Sequence, residues 1–318
     1  MTASAADRAT GAARRIEWAT ALACILEASA EKPGNVTPTR GFADVSYPDF
    51  VTSALAIAPV MAQAVERRPG QLVLEAVRAT RRVVQANTNL GIVLLLAPLA
   101  RAYARAAGRP GADPDPATLR RATEEVLGEL TVDDARLAYE AIRLAAPGGL
   151  GAAPDHDVRE EPQVNLREAM AAAAGRDHVA GEYATGYGLT FDRVLPALED
   201  ALAAGLEVRQ AVAEAFLRVL ATTPDTLIAR KLGPSAAAEV SERARWVLVA
   251  GGVRTRRGRA AMRSLDRFLR DPANRRNPGT TADLVAAGLF VHLVLGRSAR
   301  LHPPVPSPRL AVGEVLPR

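Results

Sequence analysis

Cysteine, lysine, histidine and the aromatic residues are all scarce in this sequence, and each scarcity removes a class of chemistry. Cys24 is the single cysteine among 318 residues. It excludes an intramolecular disulfide, and in its apolar helical stretch it has no histidine nearby to make it a thiolate nucleophile. That usage predicts a reducing, cytoplasmic setting. His156, His178, His292 and His302 show no metal-ligand spacing with one another or with Cys24, which argues against a zinc site. Aromatic residues make up only 4% of the chain, so the core must be filled by small and γ-branched side chains. Such side chains suit helix–helix contacts better than strands, and no segment alternates with strand period. The longest apolar run, Leu90 to Ala100, is short for a bilayer crossing, and no cleavable leader is expected. The prediction is a protein without a membrane partner.

Lysine is rarer still relative to charge. Of 40 basic side chains only Lys32 and Lys231 are lysines, so each stands out. The formal net charge of +5 comes from 40 basic and 35 acidic residues scattered along the chain. Basic groups seldom interleave with aromatics as they do in single-strand binders, so no nucleic-acid partner is expected. The charge reads mainly as composition, a basic surface that attracts anionic ligands being the lesser alternative.

What is present in quantity is alanine and leucine at helical spacing, in a chain that is 48% hydrophobic. Ile16, Ala19, Leu22, Ala23, Leu26 and Ala30 mark a first helix. Ser46, with Pro48 and Asp49 behind it, reads as the start of a second. A third is predicted over 71–86 and a fourth from about Gly91 to 107, followed by 117–130 and 131–145. Further helices are predicted near 165–174, 178–185, 190–204, 207–222, 234–250, 255–270 and 280–297. The expectation is an all-α chain: a loose N-terminus over 1–11, one helical catalytic domain of about ten to fourteen helices over 12–300, and a Pro-rich tail over 301–318. A homodimer is allowed but not specified.

Three polar interruptions between apolar helices carry the candidate chemistry. In Lys32-Pro33-Gly34-Asn35 an ammonium could reach a phosphate while the Gly34 amide approaches closely. Asp44 and Asp49 follow, hard oxygen ligands suited to Mg²⁺ carried by a nucleotide triphosphate, although Asp49 is equally well explained as a first-turn helix charge. Asn87-Thr88-Asn89-Leu90-Gly91 places hydrogen-bonding groups beside apolar surface, where they are costly unless paired. Asn277-Pro278-Gly279-Thr280-Thr281-Ala282-Asp283 turns into an apolar helix, offering amides and hydroxyls at its positive end. Helix capping alone would also select several of these residues. Glu182 after Gly181, and Asp225-Thr226 after Pro224, are weaker candidates.

Taken in order, these segments resemble the triphosphoribosyl-dephospho-CoA synthase family over roughly residues 20 to 295. Lys32-Pro33-Gly34 is similar to its Lys-Pro-Gly, and Ser53-Ala54 to the Ser-Ala of the helix that follows. Asn87-Thr88 and Gly91 resemble the ends of its Asn-Thr-His-Lys-Gly, and Gly181-Glu182 part of its Arg-Gly-Glu-Ala. Asp225-Thr226 resembles its Asp-Thr-Asn, and Pro278-Gly279 with Ala282-Asp283-Leu284 its Pro-Gly-Gly-Ser-Ala-Asp-Leu. The resemblance implies a helical enzyme that joins ATP to 3′-dephospho-CoA with release of adenine. Departures stand at Asn89 and Leu90, where the family has His and Lys, at Ala180, where it has Arg, and around Asp44, where its His-Arg-Asp-Met is reduced. Each lost charge-assisted phosphate contact would weaken binding by roughly 1.5–3 kcal/mol.

The reaction so implied is ribosyl transfer through an oxocarbenium-like transition state, which needs a carboxylate for the acceptor proton, negative charge near C1′ and cations on the phosphates. On this reading Asp44 or Asp49 serves Mg²⁺ or acts as base, and Glu182 or Asp283 acts as base or stabilises C1′. Lys32 and Gly34 hold phosphate, while Asn35, Asn87, Thr88, Gly279, Thr280 and Thr281 orient the nucleotide. Two alternatives stay open: the same chemistry on another coenzyme, such as a one-carbon carrier of methanopterin or methylofuran type, and a non-catalytic helical protein that binds a nucleotide.

Overall fold

The computed structural model describes residues 4–109, 111–148, 151 and 155–296. Among them are fourteen α-helices, and the only extended pairing is a single bridge between Thr37 and Arg40. In chain order the helices are α1 (Ala5–Ser29), α2 (Tyr47–Met61), α3 (Pro69–Val83), α4 (Leu90–Gly108), α5 (Pro116–Gly128), α6 (Val132–Ala145) and α7 (Leu166–Ala173). They continue with α8 (His178–Thr185), a π-helical turn (Thr190–Val194), α9 (Leu195–Ala203), α10 (Val208–Thr222), α11 (Thr226–Leu232), α12 (Pro234–Val249), α13 (Arg256–Leu269) and α14 (Gly279–Val294). The proposed tail over 301–318 lies outside the described residues.

Local chemistry explains the boundaries. Ser4 and Asp7 bond each other's backbone amides in a capping box, so α1 begins at Ala5, inside the segment expected to be loose. Ser46 opens α2 as expected, and Thr131 with Asp134 opens α6 in the same way. The π-helical turn before α9 and the seven-residue α11 have no separate counterpart in the periodicity, because so few residues show no repeat.

α4 is the central rod, packed against α1, α3, α5 and α14. It runs to Gly108, well past the apolar run, and by length and composition it and the Tyr47–Val65 stretch could each cross a bilayer. The apolar window of α4 is instead 72% buried within the protein. Pro98 sits inside this helix and has no N–H to give to the Leu94 carbonyl one turn back. Tyr183 from α8 donates its hydroxyl to Leu94 O at 2.7 Å, and Tyr187 donates to the adjacent Leu95 O at 2.8 Å. The proline thus frees the Leu94 acceptor that fastens α8 to the rod, and Tyr187 adds a second tie just beyond α8. α14 lies alongside, apolar on every face and buried almost throughout.

Candidate functional site

A cavity of about 510 Å³ opens between the ends of these helices. Its wall draws on the loop after α1, the α3–α4 corner, the start of α8, α11 and the loop into α14. All three polar interruptions therefore meet in one place. Two are joined directly: Asn277 donates from Nδ2 to Gly34 O at 2.8 Å and to Asn35 Oδ1 at 3.1 Å. Phe42, Phe50, Val36 and Met170 give the cavity its apolar surface.

Several predicted residues take other roles. Lys32 is only 1% exposed and forms an ion pair with Glu27 at 3.0 Å, its ammonium also reaching the Glu27 carbonyl. It lines the cavity as half of a buried pair, not as a free phosphate cation. Burial pushes the Glu27 carboxyl above its usual range, and Lys32 opposes that shift.

The Gly34 amide cannot serve a phosphate, because it donates to Asp266 Oδ1 at 2.8 Å. Gly34 has φ +75°, and a methyl group there would lie 2.7 Å from Leu269 Cβ, so only glycine fits. Arg40 and Arg270 bind the same Asp266, and Arg270 donates to Asn35 O at 2.6 Å, tying the Lys-Pro-Gly corner to α13.

Asp49 is a capping residue. Its Oδ2 accepts from the Ser46 amide and hydroxyl, each at 2.8 Å, and it does not line the cavity. Asp44 does line the cavity and makes no ion pair or hydrogen bond with its side chain among the described residues. No group of three or more His, Cys, Asp or Glu among the described residues is placed to hold a metal ion. Asp49, held by its capping bonds outside the cavity wall, does not join Asp44 there.

Glu182 is a structural carboxylate, fully buried and outside the cavity wall. It accepts from the Leu189 and Thr190 amides, both at 2.9 Å, satisfying donors at the entry to the π-helical turn. Thr281 is likewise taken: its amide and hydroxyl donate to Asp225 Oδ2 at 2.7 and 2.8 Å. Asp225 also caps α11, accepting at Oδ1 from Leu227 and Ile228. The protein therefore occupies the positive end of α14 with its own carboxyl. Gly279 and Thr280 still face the cavity.

Asn87, Thr88 and Asn89 line the cavity from the α3–α4 corner. Asn87 caps the Leu90 amide, Thr88 bonds Ser53 at 2.6 Å, and Asn89 turns to Thr80 at 3.0 Å. No cation stands here, but three others line the same cavity: Arg176, Arg230 and Lys231. In the sequence Lys231 stands out only by the rarity of lysine. It is half-buried with one long bond, 3.5 Å to Asn274 O, and burial beside Arg230 draws its pKa down. Arg176 has no ion pair among the described residues. Arg230 pairs with Asp177 at 2.7 Å.

Asp283 is the predicted carboxyl that the structure leaves in play. It faces the cavity and accepts no hydrogen bond among the described residues. Burial and the charges of Glu27, Asp177 and Asp225 push its pKa far up, against Arg230. Gly91 packs against it so tightly that a methyl group there would lie 2.0 Å from Asp283 Oδ2.

A sequence profile of the CitG family, ATP:dephospho-CoA triphosphoribosyl transferases, matches residues 13–300. The chain is 34% identical over 102 residues to 2-(5″-triphosphoribosyl)-3′-dephosphocoenzyme-A synthase of Klebsiella pneumoniae, covering 32% of this chain and 36% of that protein. A Pseudomonas putida protein with the provisional form of the same name is 39% identical over 97 residues, 30% of this chain and 34% of its own. The chain thus spans about a third of the length of these relatives. A crystal structure from Archaeoglobus fulgidus, provisionally named triphosphoribosyl-dephospho-CoA synthase, superposes with a TM-score of 0.59 at 26% identity, over 77% of this chain and 98% of that one. Profile, relatives and fold agree, and the chain belongs to the CitG family of ATP:dephospho-CoA triphosphoribosyl transferases.

Proposed function

We propose that the protein transfers the triphosphoribosyl group of ATP to a hydroxyl of 3′-dephospho-CoA and releases adenine. The observation that carries this reading is the cavity itself. One wall system joins apolar surface for a base, three cations for phosphates and a half-buried carboxyl whose pKa is pushed up. Its volume of about 510 Å³ is that of a small-molecule site.

Arg176, Arg230 and Lys231 take the part of the cations absent at Asn89, Leu90 and Ala180. A triphosphate held by them offers C1′ to the acceptor, and the surrounding carboxyls favour positive charge developing on the ribose. Asn87, Thr88, Gly279 and Thr280 orient the nucleotide. Mg²⁺ arrives with the triphosphate and neutralises part of its charge. Asp44 fits it as a single carboxylate ligand, since magnesium commonly keeps phosphate oxygens and waters as its other ligands.

Incubation with Mg²⁺-ATP and 3′-dephospho-CoA should release adenine, read by chromatography. Lys231→Met should raise the KM for ATP about tenfold, the loss of one charge-assisted contact. Absence of adenine from the unaltered protein would exclude this donor and acceptor. Lys32→Ala is a poor control, because it leaves Glu27 buried without a partner at a cost of about 3–5 kcal/mol.

A further inference from the structure

The cavity holds carboxyls in opposite electrostatic settings, and unlike settings assign unlike proton roles. Asp283, on the second turn of α14, has no hydrogen-bond donor aimed at it among the described residues. The groups around it are Glu27 and Cys24 from α1, Asp177 at the start of α8, and Asp225 and Arg230 at the two ends of α11. Three of these are acids and one is a cation. The Gly91 backbone closes the remaining side. Burial and the neighbouring acids therefore disfavour a negative charge at Asp283, with Arg230 opposing them, and this favours retention of a proton.

Asp177 is the opposite case. Its Oδ2 accepts from Arg230 at 2.7 Å and its Oδ1 from the Val179 amide at 2.9 Å, at the N-terminus of α8. Guanidinium and helix amide together fix the orientation of this carboxylate at the cavity wall. Asp177 lines the same cavity and keeps 26% of its side chain exposed there. Other carboxylates are less suited: Glu27 is bound to Lys32, Glu182 lies outside the cavity, and Asp225 is saturated by Thr281 and the α11 amides.

Resting on the transferase reading above, we propose that Asp283 is the general acid that protonates the departing purine and Asp177 the carboxylate that receives the acceptor hydroxyl's proton. As the C1′–N9 bond breaks, its electron pair goes to the purine, which takes the Asp283 proton at a ring nitrogen and leaves as neutral adenine. The acceptor oxygen forms the new C1′–O bond and its proton passes to Asp177. Solvent returns a proton to Asp283 and takes one from Asp177, so one proton moves in net from hydroxyl to adenine. Nothing else is consumed.

The test compares two donors. ATP needs a proton on its departing base, whereas N7-methyl-ATP carries a base already cationic and needs none. Asp283→Asn should lower kcat at least about 100-fold with ATP, the usual scale for a lost general acid, and less than about threefold with N7-methyl-ATP. Asp177→Asn should lose activity with both donors. In the unaltered enzyme the alkaline limb of the ATP profile should be absent with the methylated donor. Equal loss by Asp283→Asn with both donors overturns the assignment. Infrared spectra of the substrate-free protein at neutral pH should also show a protonated-carboxyl stretch that Asp283→Asn removes, and its absence from the unaltered protein likewise overturns it. A protein that shows the stretch but releases base from neither donor overturns the transferase reading, and the proton roles with it.

Discussion

At the scale of single residues, Asp283 ties the cavity to the stability of the fold. In the unfolded chain an aspartate titrates near about 3.9, while in the folded protein its pKa is pushed far up by burial and neighbouring acids. Between those two values the folded state binds the extra proton, so stability contributed by the protonated form is complete below the lower value. It is lost as pH rises through the higher one. Asp283→Asn, which cannot ionise, should therefore melt above the unaltered protein at pH 8 and close to it at pH 4. Thermal unfolding at the two pH values checks this, and an equal difference at both would contradict it. Asp283 stands out in the sequence because it lies near the start of an apolar helix after a Pro-Gly-Thr loop. Glu182 was misread for a physical reason: an acid beside glycine looks alike whether it faces a ligand or satisfies backbone donors. Only the amides of Leu189 and Thr190 decide which. Lys32 shows the same limit, since Glu27 lies five residues back on α1 and the sequence does not say that the chain folds the ammonium onto it.

At the scale of elements, α11 is the part of the site that periodicity could not see. Seven residues make two turns and give no repeat, yet this helix carries Arg230 and Lys231 into the cavity. What holds it in place is Asp225, whose two oxygens cap α11 and bind Thr281 at the start of α14. Asp225→Ala should cost about 3 kcal/mol by removing four hydrogen bonds and leaving buried donors unpaired. Denaturant unfolding should register that loss, and ATP affinity should fall further than with Lys231→Met because both cations lose their support. A substitution that weakened neither would show that α11 stands without its cap. The long helices were legible because their apolar residues recur over three or more turns. The junctions between them depend on pairings such as Asn277 with Gly34, far apart in sequence.

At the scale of the whole molecule, arginine is distributed unevenly with respect to its acidic partners. Many arginines pair across helices, as Arg78 does with Glu140 and Arg120 with Asp192. On α13, Arg256, Arg259, Arg263 and Arg267 are exposed, have no acidic partner among the described residues, and recur along one stripe roughly 16 Å long. Just past the end of that helix, Arg270 holds the loop bordering the cavity. This field should speed the approach of polyanionic substrates. Raising ionic strength should therefore lower kcat/KM several-fold while kcat stays level, and Arg256→Glu with Arg263→Glu should flatten that dependence. A salt response unchanged in the double variant would remove α13 from the effect.

The joining of the Lys-Pro-Gly corner to the loop before α14 bears also on how the protein is made. α1 emerges early in synthesis, but the cavity has no closed wall until Asn277 reaches Gly34 and α14 docks beside α4. A nascent chain would therefore hold its early motifs without a pocket to join them. The closed cavity would form in a single late step, once nearly the whole described chain has left the ribosome.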